Sequence, residues 1–133
     1  MQNPFPSQFL RYVLLADALL SGFTGLLQLL VTSWLANLLQ LPATLLLWTG
    51  VILVAYACVV AYLAFSQRLT PVQVWAVITV NVVWAIDCVG LLMLGWVSPN
   101  AFGVAWILTQ VIVVLIFAEL QYSALRRSNA ATA

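Results

Sequence analysis

The chain has 133 residues, of which 65% are hydrophobic and 5% charged, and its net charge is +1. A water-soluble domain carries roughly 25% charged residues, so this composition excludes a soluble globular protein and predicts an integral membrane protein. The small net charge and the lack of a basic run argue against nucleic acid as a partner. We therefore expect the lipid bilayer to surround most of the chain.

Four apolar segments are long enough to cross a bilayer, which takes about 20 helical residues. They predict an all-α, four-transmembrane-helix bundle that forms one domain over residues 1–133, with spans at about 12–31, 43–65, 71–96 and 101–122. The basic residues all fall at one side of these crossings: Arg11, Arg68, Arg126 and Arg127. Because Lys and Arg are retained on the cytoplasmic side, both termini are predicted to be cytoplasmic.

The first span carries its polar side chains in one line. They recur at i, i+4, i+7 and i+11, the spacing of one helical face, and are Asp17, Ser21, Thr24 and Gln28. A stripe of small residues runs beside them, formed by Ala18, Gly22 and Gly25. A polar line across a span is what a solute or ion path requires, whereas small residues beside polar ones are also what close helix packing requires.

Asp17 is the acid of the first span. An ionised carboxylate inside a membrane is costly, so we expect Asp17 to be paired, hydrated or protonated. Two interpretations stay open at this point. Asp17 is either a proton or cation site, or the partner of an arginine, Arg11 or Arg68, that reaches in from the cytoplasmic surface.

The connection between the first two spans predicts a short amphipathic helix. Its apolar residues share one helical face and its polar residues the other: Trp34, Leu35, Leu38 and Leu39 against Ser33, Asn37 and Gln40. We expect one or two turns lying in the outer headgroup plane. The turns serve either as a membrane-skimming connector or as a lid or docking element.

The third span contains a second polar group. Asn81 is expected at a depth similar to that of Asp17, so a direct or water-bridged contact between them is predicted. Trp84 lies near mid-depth, and its indole N–H needs an acceptor, which Asp87 or a carbonyl group could supply. These residues indicate either a packing contact around a core tryptophan or a ligand pocket.

Asp87 is the most costly residue to place in a membrane. It points about 120° away from Asn81 on the same helix, and no basic residue lies near its depth within one chain. It therefore meets a different helix of the bundle or a neighbouring subunit, and we expect protonation or a hydrogen bond to satisfy it. Glu119, within a turn or so of the cytoplasmic end, is expected to be structural and within reach of Arg11, Arg126 or Arg127. Gln110 and Gln121 lie on nearly the opposite side of its helix.

Several chemistries lack the residues that they need. The chain has no histidine, which removes His-ligated haem and most catalytic zinc sites. Cys58 and Cys88 are expected at different depths, as two inert, buried thiols. No nucleophile–base pair or metal-ligand set is evident. We therefore predict no catalytic residue, no cofactor and no metal, and do not expect an enzyme.

Two segments carry a resemblance to known proteins. The ending Phe117-Ala118-Glu119-Leu120-Gln121-Tyr122 with Leu125-Arg126-Arg127, and the opening Leu14-Leu15-Ala16-Asp17-Ala18 with Ser21-Gly22, resemble those of a group of small four-span proteobacterial membrane proteins. The resemblance implies a bacterial inner membrane and carries no activity with it. In size and span number the chain is also similar to small multidrug-resistance transporters, but its first-span acid is an aspartate and their other motifs are absent.

The favoured hypothesis is a small proton- or cation-linked transporter or channel that acts as a homo-oligomer, because three acids within the spans are more than packing alone usually tolerates. Asp17 would be the coupling or binding site, Asn81 its partner and Asp87 an outer-half site or subunit contact. Two alternatives remain. One is a non-catalytic accessory or assembly subunit of a larger membrane complex. The other is a lipid- or quinone-binding protein with a site near Trp84 and Tyr56, which requires a cavity.

Overall fold

A computed structural model describes residues 7–132 of the chain and the side-chain surroundings of residues 7–127. This part of the chain forms five helices: α1 (Gln8–Leu30), α2 (Thr32–Leu39), α3 (Ala43–Phe65), α4 (Pro71–Met93) and α5 (Ala101–Thr132). The four longer helices, α1, α3, α4 and α5, are long and apolar enough to cross a membrane. The predicted all-α, four-helix membrane bundle with a short helix between the first two spans is confirmed.

Local capping decides where the helices begin and end. α1 begins at Gln8, four residues before the predicted span, because the Ser7 hydroxyl accepts a hydrogen bond from the Leu10 amide at 3.1 Å. α4 begins at Pro71 as predicted, behind a capping box formed by Thr70 and Gln73. It ends at Met93 rather than at residue 96, just before Gly95, whose φ of +71° does not continue a helix.

The bundle has two ends, which we name by their residues. The arginine end carries Arg11, Arg68 and Arg126, and the α2 end carries α2 and the connection between α4 and α5. An apolar cluster fills the arginine end, with Leu10, Leu14, Val60, Val74 and Leu125 at its centre, each at most 1% exposed. A second apolar cluster surrounds Leu35, Leu39, Leu46 and Ile107 at the α2 end.

The helices associate mainly as two pairs, α1 with α3 and α4 with α5. Gly25 and Gly50 meet where α1 crosses α3, and a Cβ atom built on Gly25 would lie only 2.8 Å from the Gly50 carbonyl oxygen. One turn away, a Cβ on Gly22 would lie 3.3 Å from the Cβ of Ala57. Small residues allow such close approach of two helices in a membrane. The small stripe of the first span is thus a packing surface against α3.

α2 is held on the bundle by the beginning of α5. Leu35 and Leu39 are buried at 2% and 3% exposure, while Trp34 and Leu38 are exposed. The predicted apolar face of α2 is therefore divided between two surroundings, with Leu35 and Leu39 packed on the bundle and Trp34 and Leu38 at its surface. Two hydrogen bonds from Asn100 hold the end of α2 on the bundle. Its side-chain amide donates to the Leu38 carbonyl at 2.8 Å, and its backbone amide donates to the Leu39 carbonyl at 3.3 Å.

Candidate functional site

The bundle encloses a polar cluster to which each of the four long helices contributes one side chain. The members of this Asp17 cluster are Asp17 on α1, Tyr56 on α3, Asn81 on α4 and Gln121 on α5. Asp17, Asn81 and Gln121 are 1%, 2% and 0% exposed. A buried carboxylate needs hydrogen-bond donors, and the cluster supplies them from three helices besides its own.

One oxygen of the Asp17 carboxylate takes most of these donors. Oδ2 accepts from the Tyr56 hydroxyl at 2.7 Å, from Gln121 Nε2 at 2.8 Å and from Asn81 Nδ2 at 3.1 Å. Asn81 Nδ2 also donates to Gln121 Oε1 at 3.1 Å, so both hydrogens of the Asn81 amide are used. The Tyr56 oxygen lies 3.2 Å from Asn81 Oδ1, but its single proton belongs to the shorter contact with the carboxylate.

The other carboxylate oxygen is served differently. Oδ1 accepts one hydrogen bond within the described chain, from the half-buried Ser21 hydroxyl at 3.2 Å. A carboxylate has roughly four acceptor sites over its two oxygens, so Oδ1 keeps capacity that Oδ2 lacks. Asp17 and Ser21, the donor to Oδ1, are both among the residues that line a cleft, so the Oδ1 side of the buried carboxylate lies next to it.

All four donors to Asp17 among the described residues are neutral. Arg11, one of the two arginines considered as partners, instead donates from Nη1 to the Ala64 carbonyl at 2.6 Å, near the end of α3. The ion-pair interpretation of Asp17 is therefore wrong for this arrangement. Arg11 can stay close to the bundle surface because the last carbonyl groups of a helix lack intrahelical partners and attract cations. The predicted contact between Asp17 and Asn81, by contrast, is confirmed.

The cleft has a volume of about 560 Å³ and lies between α1 and α5. Its size falls in the roughly 300–1,000 Å³ range of small-molecule sites. Leu38 and Leu39 of α2 close it at the α2 end, and Phe23 and Phe102 at its sides are 67% and 65% exposed. Exposed residues on both helices show that the cleft opens sideways, on the surface that faces lipid in a membrane-spanning bundle. Its inner wall includes Leu53, Trp84, Trp106 and Phe117.

A second polar contact lies on the inner wall of the cleft. The Trp84 indole N–H donates to Gln110 Oε1 at 2.9 Å, so its acceptor is a side-chain amide and not Asp87. The Gln110 amide nitrogen makes no hydrogen bond to the described chain, and no buried side-chain nitrogen or oxygen in this part lacks a partner. That nitrogen is therefore accessible from the cleft, as a donor at a different depth from Asp17.

The structure divides the residues that the sequence singled out. Those that line the cleft are Asp17, Ser21, Thr24 and Trp84, and Asn81 lies behind Asp17. Thr24 donates to its own helix, at the Leu20 carbonyl, 2.8 Å away. Gln28 is turned towards α3, where Nε2 donates to the Leu46 carbonyl at 2.9 Å and to the Thr49 hydroxyl at 2.7 Å. The close crossing of α1 and α3 at Gly25 brings those acceptors within its reach.

Two acids and one cysteine are on the outside of the bundle. Asp87 is exposed, so it does not meet another helix of the same chain. Glu119 is exposed as well, and two of its expected partners are occupied elsewhere: Arg11 at Ala64, and Arg127 5.9 Å from the centre of the Phe9 ring. Cys58 and Cys88 are free, and Cys58 is exposed rather than buried as predicted.

Sequence reasoning did not place Tyr56 and Gln121 beside Asp17. Gln110 and Gln121 are 11 residues apart, which puts both amides on one helical face of an otherwise apolar span. That face is the signal that could have identified them, because a span with two amides on one side turns that side inwards. For Tyr56, the only sequence signal was its position near the middle of the second span.

Comparison of the chain with protein-family models, with curated proteins and with solved structures finds no match. The resemblance to small four-span proteobacterial proteins therefore stays a prediction. A function has to come from the chemistry of the site itself.

Proposed function

We propose that this membrane protein binds a lipid-soluble cation in the cleft between α1 and α5, with the Asp17 carboxylate as its counter-charge. The observation that carries the proposal is the unequal use of the two carboxylate oxygens. Oδ2 accepts three hydrogen bonds of 2.7–3.1 Å from three other helices, which hold the carboxylate in place. Oδ1 accepts one bond of 3.2 Å, from a residue that lines the cleft.

The walls of the cleft favour a cation with an apolar body. Aromatic side chains, among them Trp84, Trp106 and Phe117, line it, and each such ring in contact with a cation contributes ~0.5–2 kcal/mol. The lining residues in the described chain include no arginine or lysine that would repel a positive charge. The sideways opening gives entry from the hydrocarbon of the bilayer, which suits a molecule that is already dissolved there.

A quinone is the other lipid-soluble candidate, and the polar groups favour it less. Its head group offers carbonyl acceptors, which match the accessible amide nitrogen of Gln110. They make no use of the spare acceptor capacity of Asp17 Oδ1, because a quinone head group brings acceptors and no donor. A cation uses both the carboxylate and the aromatic walls.

The shape of the bundle also supports transport as a further step. The cleft reaches Asp17 from the half of the bundle near the α2 end, whereas apolar side chains centred on Leu14, Val60 and Leu125 fill the arginine end. Access to a central site from one side is what one state of an alternating-access transporter provides. Cation-linked transport therefore stays a prediction that this access to Asp17 supports, and the homo-oligomeric state stays an untested prediction.

Binding is tested with the purified protein in lipid nanodiscs and tetraphenylphosphonium as the probe. Calorimetric titration should show saturable binding, and Asp17→Asn, which keeps the shape of the side chain and removes its charge, should weaken it about tenfold or more, a factor worth ~1.4 kcal/mol. Glu119→Gln is the matched control, since Glu119 is an exposed acid outside the cleft. It should bind the probe as the wild type does.

Two results would contradict the proposal. One is equal affinity of Asp17→Asn and the wild type for tetraphenylphosphonium. The other is equal affinity of the wild type for the neutral analogue tetraphenylmethane, which would show that the carboxylate contributes nothing. Flux of the probe into proteoliposomes then separates the two steps: flux that Asp17→Asn abolishes supports transport, and binding without flux limits the function to binding.

A further inference from the structure

Asp87 is an acid that the bundle leaves on its outer surface within a membrane-spanning helix. It lies 16 residues after Pro71 and 6 residues before Met93, so it is ~9 Å from the nearer end of α4 by helical rise. It is exposed and makes no hydrogen bond or ion pair within the part of the chain that the structure describes. An aspartate in contact with lipid costs ~2.5–3.5 kcal/mol at the centre of a span and less towards the ends, and Asp87 still lies inside the hydrocarbon-spanning part of α4. Such a residue calls for a partner.

The residues around Asp87 form a surface shaped for another helix. We call it the α4 outer face: Ala76, Val80, Val83, Asp87 and Gly90, which follow one another at intervals of four, three, four and three residues. That alternation is the heptad spacing of a seam between two helices packed at a small angle. Val80 and Val83 are 45% and 47% exposed, so the seam is uncovered in the single chain.

Gly90 is a second and independent observation at the same face. A Cβ atom on Gly25, Gly50 or Gly103 would press on a neighbouring backbone, so packing within the chain explains those glycines. A Cβ atom on Gly90 would meet nothing within 4 Å. Glycine inside a helix is less favourable than alanine by about 1 kcal/mol in water, and here no contact within the chain accounts for it. Close contact with a helix from outside the chain, one turn from Asp87, would account for this glycine.

We propose that the α4 outer face docks against a transmembrane helix of another protein, and that this helix carries an arginine or lysine at the depth of Asp87. Charge complementarity decides between this partner and a second copy. The arginines of a second copy inserted in the same orientation lie at the arginine end, and Arg68 precedes α4, whose first residue, Pro71, is already 16 residues or ~24 Å of helical rise from Asp87. Two α4 outer faces in contact would instead bring two acids together.

The docking face is independent of the cation cleft. The cleft is lined by α1, α5 and inward residues such as Trp84, and the α4 outer face shares no residue with it. Loss of one activity therefore leaves the other in place, and the two proposals fail separately.

A synthetic transmembrane helix tests the partner chemistry directly. The probe is a dye-labelled leucine–alanine peptide with a single arginine placed to match the depth of Asp87, and energy transfer to the labelled full-length chain in liposomes reports association. The arginine peptide should associate about tenfold more tightly than the same peptide with leucine in that position. Asp87→Asn should lower its affinity to that of the leucine peptide, and Gly90→Ile should weaken it without changing tetraphenylphosphonium binding.

A charge exchange makes the test specific. Asp87→Arg should no longer associate with the arginine peptide and should associate with a peptide that has aspartate at the matched position. Glu119→Gln should associate with both peptides as the wild type does. Equal binding of the arginine and leucine peptides would overturn the proposal. So would energy transfer between two copies of the chain that Asp87→Asn abolishes, because the occupant of the face would then be a second copy.

Discussion

Substitution of Gly25 by alanine tests whether the close crossing of α1 and α3 holds the bundle together. The added Cβ atom would lie 2.8 Å from the Gly50 carbonyl oxygen, 2.9 Å from Val54 Cγ2 and 3.0 Å from Leu53 Cβ. Ordinary contacts of a Cβ atom begin at 3.4 Å, so the tightest is short by about 0.6 Å. Because that contact is with backbone, a side-chain rotation cannot relieve it and the two helices must move apart.

Two opposing terms set the size of the effect. Overpacking of a close contact costs ~1–3 kcal/mol, and three short contacts place Gly25→Ala in the upper half of that range. Replacing glycine by alanine inside a helix stabilises the folded state by up to about 1 kcal/mol, because alanine has the higher helix propensity. We therefore expect the free energy of unfolding to fall by ~1–2 kcal/mol. The same change at Gly90 makes no new contact within 4 Å, so it should leave the stability of the single chain equal or slightly higher.

The assay measures the free energy of unfolding of the purified protein in bicelles by steric trapping. It compares the wild type, Gly25→Ala and Gly90→Ala. Both variants add the same methyl group to a helical glycine, so the helix-propensity term cancels between them. The difference of ~2–3 kcal/mol that we expect reports the clash alone. Equal stability of the two variants would refute the close crossing as a determinant of the fold.

Two further variants test other contacts. Gln121→Leu removes the 2.8 Å donor to Asp17 and should lower the free energy of unfolding by ~1–3 kcal/mol in the same assay. Ser21→Ala loses a half-buried 3.2 Å donor and should lower it by less than about 1 kcal/mol. The reverse order would contradict the unequal use of the two carboxylate oxygens. Asn100→Ala removes the tie to the Leu38 carbonyl and should speed amide hydrogen exchange in α2 while exchange in the middle of α3 stays slow. Unchanged exchange in α2 would show that its burial alone holds it.

Much of the fold could be predicted because apolar length and caps are local properties. The 23 residues of α3 coincide with the predicted span, since a continuous apolar run fills it and Pro42 precedes it. The start of α4 is also a local property, because the sequence Thr70-Pro71-Val72-Gln73 combines a capping box with proline at the first helical position. The early start of α1 was missed because the charge of Arg11 suggested the edge of the membrane, whereas the cap that starts the helix is Ser7.

The site was less predictable, because it depends on how whole helices are rotated and spaced. Asp17 and Asn81 could be paired from their polarity and similar depth. The third and fourth members, Tyr56 and Gln121, required knowledge of which faces of α3 and α5 point inwards, and span-wide apolarity hides that rotation. The cleft depends on a gap between α1 and α5, and no residue pattern within either helix encodes a gap between them.

The hydrogen bonds that hold Asp17 have a consequence for membrane insertion of the nascent chain. α1 leaves the ribosome before the other three spans, with its aspartate, and is the least hydrophobic of the four, at a mean hydropathy of 1.8. The donors that hold the carboxylate arrive 39, 64 and 104 residues later, from Tyr56, Asn81 and Gln121. Until these donors begin to arrive, the aspartate opposes insertion of α1 by about +2.5 to +3.5 kcal/mol, and the full set is present only once α5 has emerged. Stable membrane integration of α1 is thus a late, cooperative event, and a nascent chain truncated before α5 should release its first helix from the bilayer more readily than its second.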